Sequence, residues 1–199
     1  FLLGVMTSLL AMAAYSFLPL FARERLFIPE GQVVLFDVAG TVGALVTSLY
    51  WGWAADHYGG KPLTLATLGA LGVLPTVWLV LPPGRGVTLA LGLALAFASG
   101  AISVGLGIGS FRWFLNDVVP MEARTAYTSL WYAGSGLAGG IAPFLAGWLL
   151  RTLAGLDWAV GGLRIHAFIV LFAWALAMTL VSTLIYARVP AEADHRTRD

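Results

Sequence analysis

Six stretches of this chain are long, apolar and nearly free of charge: residues 1–21, 33–55, 63–82, 87–111, 126–150 and 165–187. Only Asp37 and His166 interrupt them. An α-helix rises about 1.5 Å per residue, so about 20 apolar residues cross a hydrocarbon layer about 30 Å thick. Lipid cannot hydrogen-bond the backbone, so such segments must be helices or strands of a closed barrel. The runs show no apolar–polar alternation, which excludes barrel strands. The expected fold class is an all-α membrane protein with six transmembrane helices.

Composition narrows function. Charged residues make up 11% of the 199, against about 25% in a soluble domain, and the mean hydropathy is +0.87. A soluble core of this size could not be given a charged shell. A formal net charge of +1 supplies no basic patch for nucleic acid. There is no cysteine, hence no disulfide, thiolate metal site or cysteine nucleophile. His57, His166 and His195 lie in separate segments, none with a second ligand at metal-binding spacing. No metal and no cofactor is implied. Residues 1–21 have no basic start and exceed the apolar core of a secretory signal. The expectation is therefore a truncated beginning and a longer parent polypeptide.

The intervening segments are short and polar: 22–32, 56–62, 83–86, 112–125 and 151–164, with a tail over 188–199. An even number of crossings would put both termini on one side. Small residues recur at helical spacing. Asp37, Thr41, Ala44 and Ser48 share one face; Ser99, Ser103, Gly107 and Ser110 share another. In the fifth run Ser129, Ala133, Gly136, Gly140, Pro143 and Gly147 form a nearly continuous stripe. Such stripes serve as close-packing seams or as cavity walls, and both readings stand. Pro19, Pro75 and Pro143 lie inside runs, where each frees a carbonyl and favours a bend.

Between the second and third runs stands Gly52-Trp53-Ala54-Ala55-Asp56-His57-Tyr58-Gly59-Gly60-Lys61-Pro62. It resembles the signature loop of the major facilitator superfamily, Gly-x-Leu-Ala-Asp-Arg-x-Gly-Arg-Lys/Arg. Gly52, Ala55, Asp56, Gly59 and Lys61 match in register. Ala54 replaces the usual Leu, and His57 and Gly60 replace arginines. Physically, Gly52 permits close helix contact, and Asp56 can cap a neighbouring helix or pair with a base. Gly59 allows a tight reversal, and Lys61 favours a cytoplasmic location. Between the fourth and fifth runs, Asn116-Asp117-Val118-Val119-Pro120-Met121-Glu122-Ala123-Arg124 is similar to the Pro-x-Glu-x-Arg-like stretch common there in the same superfamily. The Gly/Pro-rich segment 136–147 follows it. Gly140-Ile141-Ala142-Pro143 stands where antiporters carry an adjacent Gly-Pro pair, so antiport is not implied.

The resemblance implies half of a twelve-helix fold, built as two inverted three-helix repeats. These would be residues 1–82 and 87–187, within a single bundle over 1–199. The weakened signature, the missing start and the short tail point to the C-terminal half. Implied partners are the lipid bilayer, a small-molecule solute, H+ or another coupling ion, and the other six-helix half. The implied location is the cell membrane, with both termini cytoplasmic.

In that orientation the cytoplasmic cations are Lys61, Arg112, Arg124, Arg188, Arg196 and Arg198, against Arg23, Arg25, Arg85, Arg151 and Arg164 opposite. This is almost no positive-inside bias, so orientation rests on the motif. Asp37 lies four residues inside the second run, about 6 Å deep. A carboxylate costs about 2.5–3.5 kcal/mol at mid-membrane and less near an edge. It is either an interfacial residue reaching water or part of a solute or proton pathway with Thr41, Tyr15 and Tyr132. Arg112 and Asp117, beside Asp56, Lys61 and Arg124, are either solvated helix-end charges or an ion-pair gate. His166 sits at a run edge, as an interfacial residue or a proton relay.

Three functions compete. A secondary transporter half, working by alternating access, is the leading one; no Gly-x4-Gly-Lys-Ser/Thr motif provides for ATP. An intramembrane serine hydrolase would need Ser135 with His166, but position 133 is Ala where the nucleophile pattern requires Gly. A non-transporting scaffold is the third. Substitution of Asp56 separates transporter from scaffold.

Overall fold

The computed structural model describes residues 1–84, 86–155 and 166–189 in full, and the backbone of 157–160 and 163–165. Arg85, Arg164, Arg196 and Arg198 of the charge comparison, and most of the expected tail, lie outside the fully described residues. The chain forms α1 (Leu2–Met12), a 3₁₀ turn (Ala13–Phe17), α2 (Leu18–Glu24), α3 (Glu30–Tyr58), α4 (Gly60–Trp78), α5 (Gly86–Trp113), α6 (Arg124–Thr152) and α7 (Ala167–Arg188). A short antiparallel hairpin, β1 (Asp157–Val160) and β2 (Leu163–His166), precedes α7. The hairpin occupies a segment expected to be a polar loop and qualifies the all-α expectation.

Among the described residues, five helical segments are long and apolar enough to cross a membrane: Leu2–Glu24, Glu30–Tyr58, Gly86–Val118, Met121–Thr152 and Ala167–Arg188. The chain is thus a multi-pass integral membrane protein. α4 is not among the five. Lys61, three glycines and three threonines dilute its apolar residues. Yet α4 is the most enclosed helix, with nine of its 19 residues buried, and it packs against α5 and α7. α3 and α6, at 29 residues each, bury only four apiece. Their outer faces are apolar, with Leu49 86% and Phe144 75% exposed. Water would not tolerate such surfaces on a stable monomer.

The principal helix pairings are α3 with α5, α4 with α5, α1 with α6 and α7, and α4 with α7. The α3–α5 seam is set by glycine. A Cβ at Gly100 would lie 1.9 Å from the Gly40 carbonyl oxygen, and one at Gly43 would lie 2.2 Å from that of Phe97. Without a hydrophobic drive between helices in lipid, close backbone approach and dispersion hold them together. Trp51 spans the same seam, its Nε1 donating to the Ala101 carbonyl at 2.6 Å.

The α6 seam differs from the expected stripe. Gly134, Ala138, Ala142 and Ala146 are buried at four-residue spacing, and Gly134 meets Leu2 of α1. A Cβ at Gly136 or Gly140 would meet nothing within 4 Å, while one at Gly147 would touch Phe17. Several faces of α6 carry small residues, and spacing alone does not select among them.

The prolines act unequally. Pro19, at the start of α2, lacks the N–H that would continue helix α1, and the chain passes through the 3₁₀ turn there. Pro75 and Pro143 stay within continuous helices. Pro75 cannot donate to the Leu71 carbonyl, and Tyr15 Oη donates to that oxygen instead, at 2.6 Å. Other buried hydroxyls are satisfied likewise, Thr64 and Thr67 by their own helix and Ser182 of α7 by the Gly4 carbonyl of α1 at 2.9 Å. Each bond removes a polar group from lipid.

The segment 56–62 is scarcely a loop. α3 ends at Tyr58, α4 begins at Gly60, and Gly59 alone reverses the chain at φ 83° and ψ 162°. That conformation is essentially restricted to glycine. Gly59→Ala should cost about 1–3 kcal/mol, read as a lower melting temperature in detergent. An unchanged melting temperature would contradict this account of the turn.

Candidate functional site

A cavity of about 410 Å³ opens between the first helical segment, α3, α4 and α5. α3 contributes Asp37 and Thr41, and α5 contributes Ser99 and Ser103; Tyr15 comes from the 3₁₀ turn and Trp78 from the end of α4. Asp37 lies about 10 Å along α3 from Glu30 and is exposed. It is the one ionisable carboxylate or base among the described lining residues. The close approach at Gly40 and Gly100, both in the wall, brings the polar faces of α3 and α5 side by side. Three of the sequence-derived candidates, Tyr15, Asp37 and Thr41, therefore share one cavity. Ser99 and Ser103 were legible only as members of a small-residue face. Phe36 and Trp78, in edge-to-face contact with ring centroids 5.3 Å apart, gave no signal beyond being aromatic.

Tyr132 lies elsewhere. It is exposed on α6, in a separate open depression with Trp131, Phe111, Gly52, Asp56 and Arg112. The reason is helical phase: Tyr132 is two residues from Gly134, whose face packs on α1.

The candidate gate residues gather at one end of the bundle, where Phe1 also meets Trp113, Phe114 and Tyr186. Arg112 at the end of α5 donates to the Asp56 carboxylate near the end of α3, forming an ion pair. Lys61 does not join it. Its Nζ donates to the carbonyls of Ala187 (3.1 Å) and Val189 (2.6 Å) at the end of α7 and lies 5.7 Å from the Trp113 ring centroid. The last carbonyls of a helix have no intrahelical donor and carry partial negative charge, so the ammonium caps α7. Arg124 donates to the Leu115 carbonyl at 3.0 Å, within the π-helical turn Phe114–Val118 that holds Asp117. Of the expected cluster, Asp56 and Arg112 form an ion pair, and Lys61 and Arg124 make backbone clasps beside it. A Cβ at Gly52 would meet nothing within 4 Å among the described residues.

Lys61→Met should lower stability by about 1 kcal/mol and speed amide exchange in the last turn of α7, with Lys61→Arg retaining most protection. Unchanged exchange at residues 186–188 would contradict the clasp.

At the far end, Arg23 pairs with Glu30 across the α2–α3 connection. His166 precedes α7, and its ring meets Phe168 with centroids 6.0 Å apart. Ser135 lies on α6, 17 residues before Thr152 and so about 25 Å from that end, and donates to the Tyr132 carbonyl. No serine–histidine nucleophile is assembled from these two.

The family model of the Major Facilitator Superfamily matches residues 1–198. The chain belongs to the major facilitator superfamily. No curated protein and no solved structure matches it significantly. Superfamily members are transporters, which places the cavity and the Asp56–Arg112 pair in a protein class that moves solutes across membranes.

Proposed function

We propose that this chain is one six-helix half of a secondary active transporter, moving a small solute by alternating access between two halves. The carrying observation is the cavity that joins Asp37, Thr41 and Tyr15 on a chain of this superfamily. A polar cleft at helix interfaces, walled by apolar and aromatic side chains, is what a small-molecule site requires. α4 is the sixth crossing, shielded from lipid by α5 and α7 and so in less need of an apolar surface.

The helix pairing favours two inverted repeats. Exchange the first segment with α5, α3 with α6 and α4 with α7, and the set of principal pairings maps onto itself. The weakened signature, with Ala54, His57 and Gly60 at the substituted positions, favours the C-terminal half. The exposed faces of α6 at Gly136 and Gly140, and of α3 at Asp37 and Thr41, are then available to the other half, the bilayer or the solute path. Asp56–Arg112 forms the cytoplasmic gate, tying α3 to α5 in one state and parting in the other. Lys61 and Arg124 hold helix ends fixed while it does so, and Asp117 shapes the turn between α5 and α6. H+ or another ion supplies the gradient.

Reconstitution of the full-length polypeptide in proteoliposomes tests this. Neutral, anionic and cationic solutes are offered with and without pH and sodium gradients. Saturable uptake or counterflow of at least one solute is expected. Folded protein that moves none of them would reject the transport reading.

A further inference from the structure

The hydroxyls on the cavity wall have their protons already committed. Thr41 Oγ1 donates to the Asp37 carbonyl (2.8 Å), Ser99 Oγ to Leu95 (2.8 Å), Ser103 Oγ to Gly100 (2.9 Å) and Tyr15 Oη to Leu71 (2.6 Å). A hydroxyl has one proton and two lone pairs, so each has only acceptor capacity left for a guest, part of it shared between Tyr15 and Ser99, which are themselves hydrogen-bonded. An ionised carboxylate is also acceptor-only, and Asp37 is the charged group of the wall. The indole N–H of Trp78 is a donor, but it is buried within the bundle. Helical backbone N–H groups are spent on their own helices. The cavity therefore offers four neutral acceptors, one anionic acceptor and an aromatic, aliphatic remainder, with no accessible donor from these groups.

We propose that the solute is an organic ammonium ion, with N–H donors at one end and an apolar body, and that Asp37 is its counter-ion. The inference rests on reading this cavity as the solute site. An anion would meet only lone pairs and a like charge. A neutral alcohol has one proton, to give to a hydroxyl or to the carboxylate, and brings no charge to balance Asp37. An ammonium satisfies both, and its body covers Phe36, Leu71 and Trp78. A quaternary ammonium keeps the charge and loses the donors, so it isolates the contribution of the hydroxyl acceptors.

Equilibrium dialysis of the full-length polypeptide in detergent at pH 7 tests the proposal with four probes of matched body. These are 2-phenylethylammonium, its N,N,N-trimethyl analogue, 2-phenylethanol and 3-phenylpropanoate. The primary ammonium should bind at least tenfold more tightly than the alcohol or the carboxylate, and more tightly than the trimethyl analogue. Asp37→Asn should abolish the preference over the alcohol, and Asp37→Glu should retain it. Equal binding of the ammonium, alcohol and carboxylate, or a preference that survives Asp37→Asn, would overturn the inference; the latter is the signature of micelle partitioning. The four-probe ranking on the unaltered protein decides the matter even if Asp37→Asn does not fold. Proteoliposome uptake separates the two readings. Asp37-dependent binding without uptake would reject transport and leave the cation site standing. Uptake of the alcohol or carboxylate, but not of the ammonium, would reject the cation site and leave transport standing.

Discussion

Gly100→Ala should force α3 and α5 apart and leave the chain largely unfolded or aggregated in detergent. The added methyl would lie 1.9 Å from the Gly40 carbonyl oxygen and 2.5 Å from its carbon. Both obstacles are backbone, so no rotamer change relieves them. Overpacking ordinarily costs about 1–3 kcal/mol, and a backbone-on-backbone clash belongs at or above the top of that range. Gly43→Ala should behave alike, with its methyl 2.2 Å from the Phe97 carbonyl oxygen. Gly136→Ala is the matched control. It adds the same methyl in a helix where nothing lies within 4 Å, and should leave stability unchanged or raise it by up to about 1 kcal/mol through helix propensity. Melting temperature and size-exclusion profile read all three. Equal stability of Gly100→Ala and Gly136→Ala would contradict the seam.

Asp56→Asn and Arg112→Gln should each lower the initial rate of solute uptake by tenfold or more while barely changing stability. The pair is exposed, Asp56 by 61% and Arg112 by 37% of the side chain. Exposed ion pairs contribute about 0–1 kcal/mol. A large transport defect with an intact melting temperature therefore points to a conformational equilibrium rather than to folding. The double exchange Asp56→Arg with Arg112→Asp should recover a substantial part of the rate, since it restores the attraction in reverse. Wild-type uptake in both single variants would remove the pair from the gate, leaving it as a solvated helix-end contact.

Five of the six expected runs were legible as membrane-length helices, because apolar length is a direct physical requirement of lipid. Their ends were not. α3 extends three residues before and three beyond its expected run, through Glu30 and Tyr58, because charged and polar residues remain helical once past the hydrocarbon. The hairpin before α7 lacked the long alternating pattern that marks strands. α4 looked like its neighbours in sequence, yet Lys61, its threonines and its glycines keep it outside the five, and it lies enclosed against α5 and α7. Small-residue spacing marked one face of α6, while the face buried within this chain carries Gly134, Ala138, Ala142 and Ala146; Gly134 and Gly136 differ only by helical phase.

The cavity was partly legible. A lone carboxylate in an apolar run attracts attention, and Thr41 shares its face by four-residue spacing. Tyr15 reaches the same space because Pro75, 60 residues on, leaves Leu71 without a donor. That pairing is three-dimensional and no local pattern announces it. Lys61 matched the signature by position, but its role as a cap on α7 depends on an end of the chain more than 120 residues away.

Single-cysteine accessibility tests the central claim, six crossings with the signature turn inside, and the cysteine-free sequence makes the background clean. His57→Cys, Gly84→Cys, Glu122→Cys and Phe27→Cys are challenged in sealed vesicles with a membrane-impermeant maleimide. His57 and Glu122 should react from the cytoplasmic face, and Phe27 and Gly84 from the opposite face. Labelling of His57 and Gly84 from the same side would mean that α4 does not cross, and the account would fail.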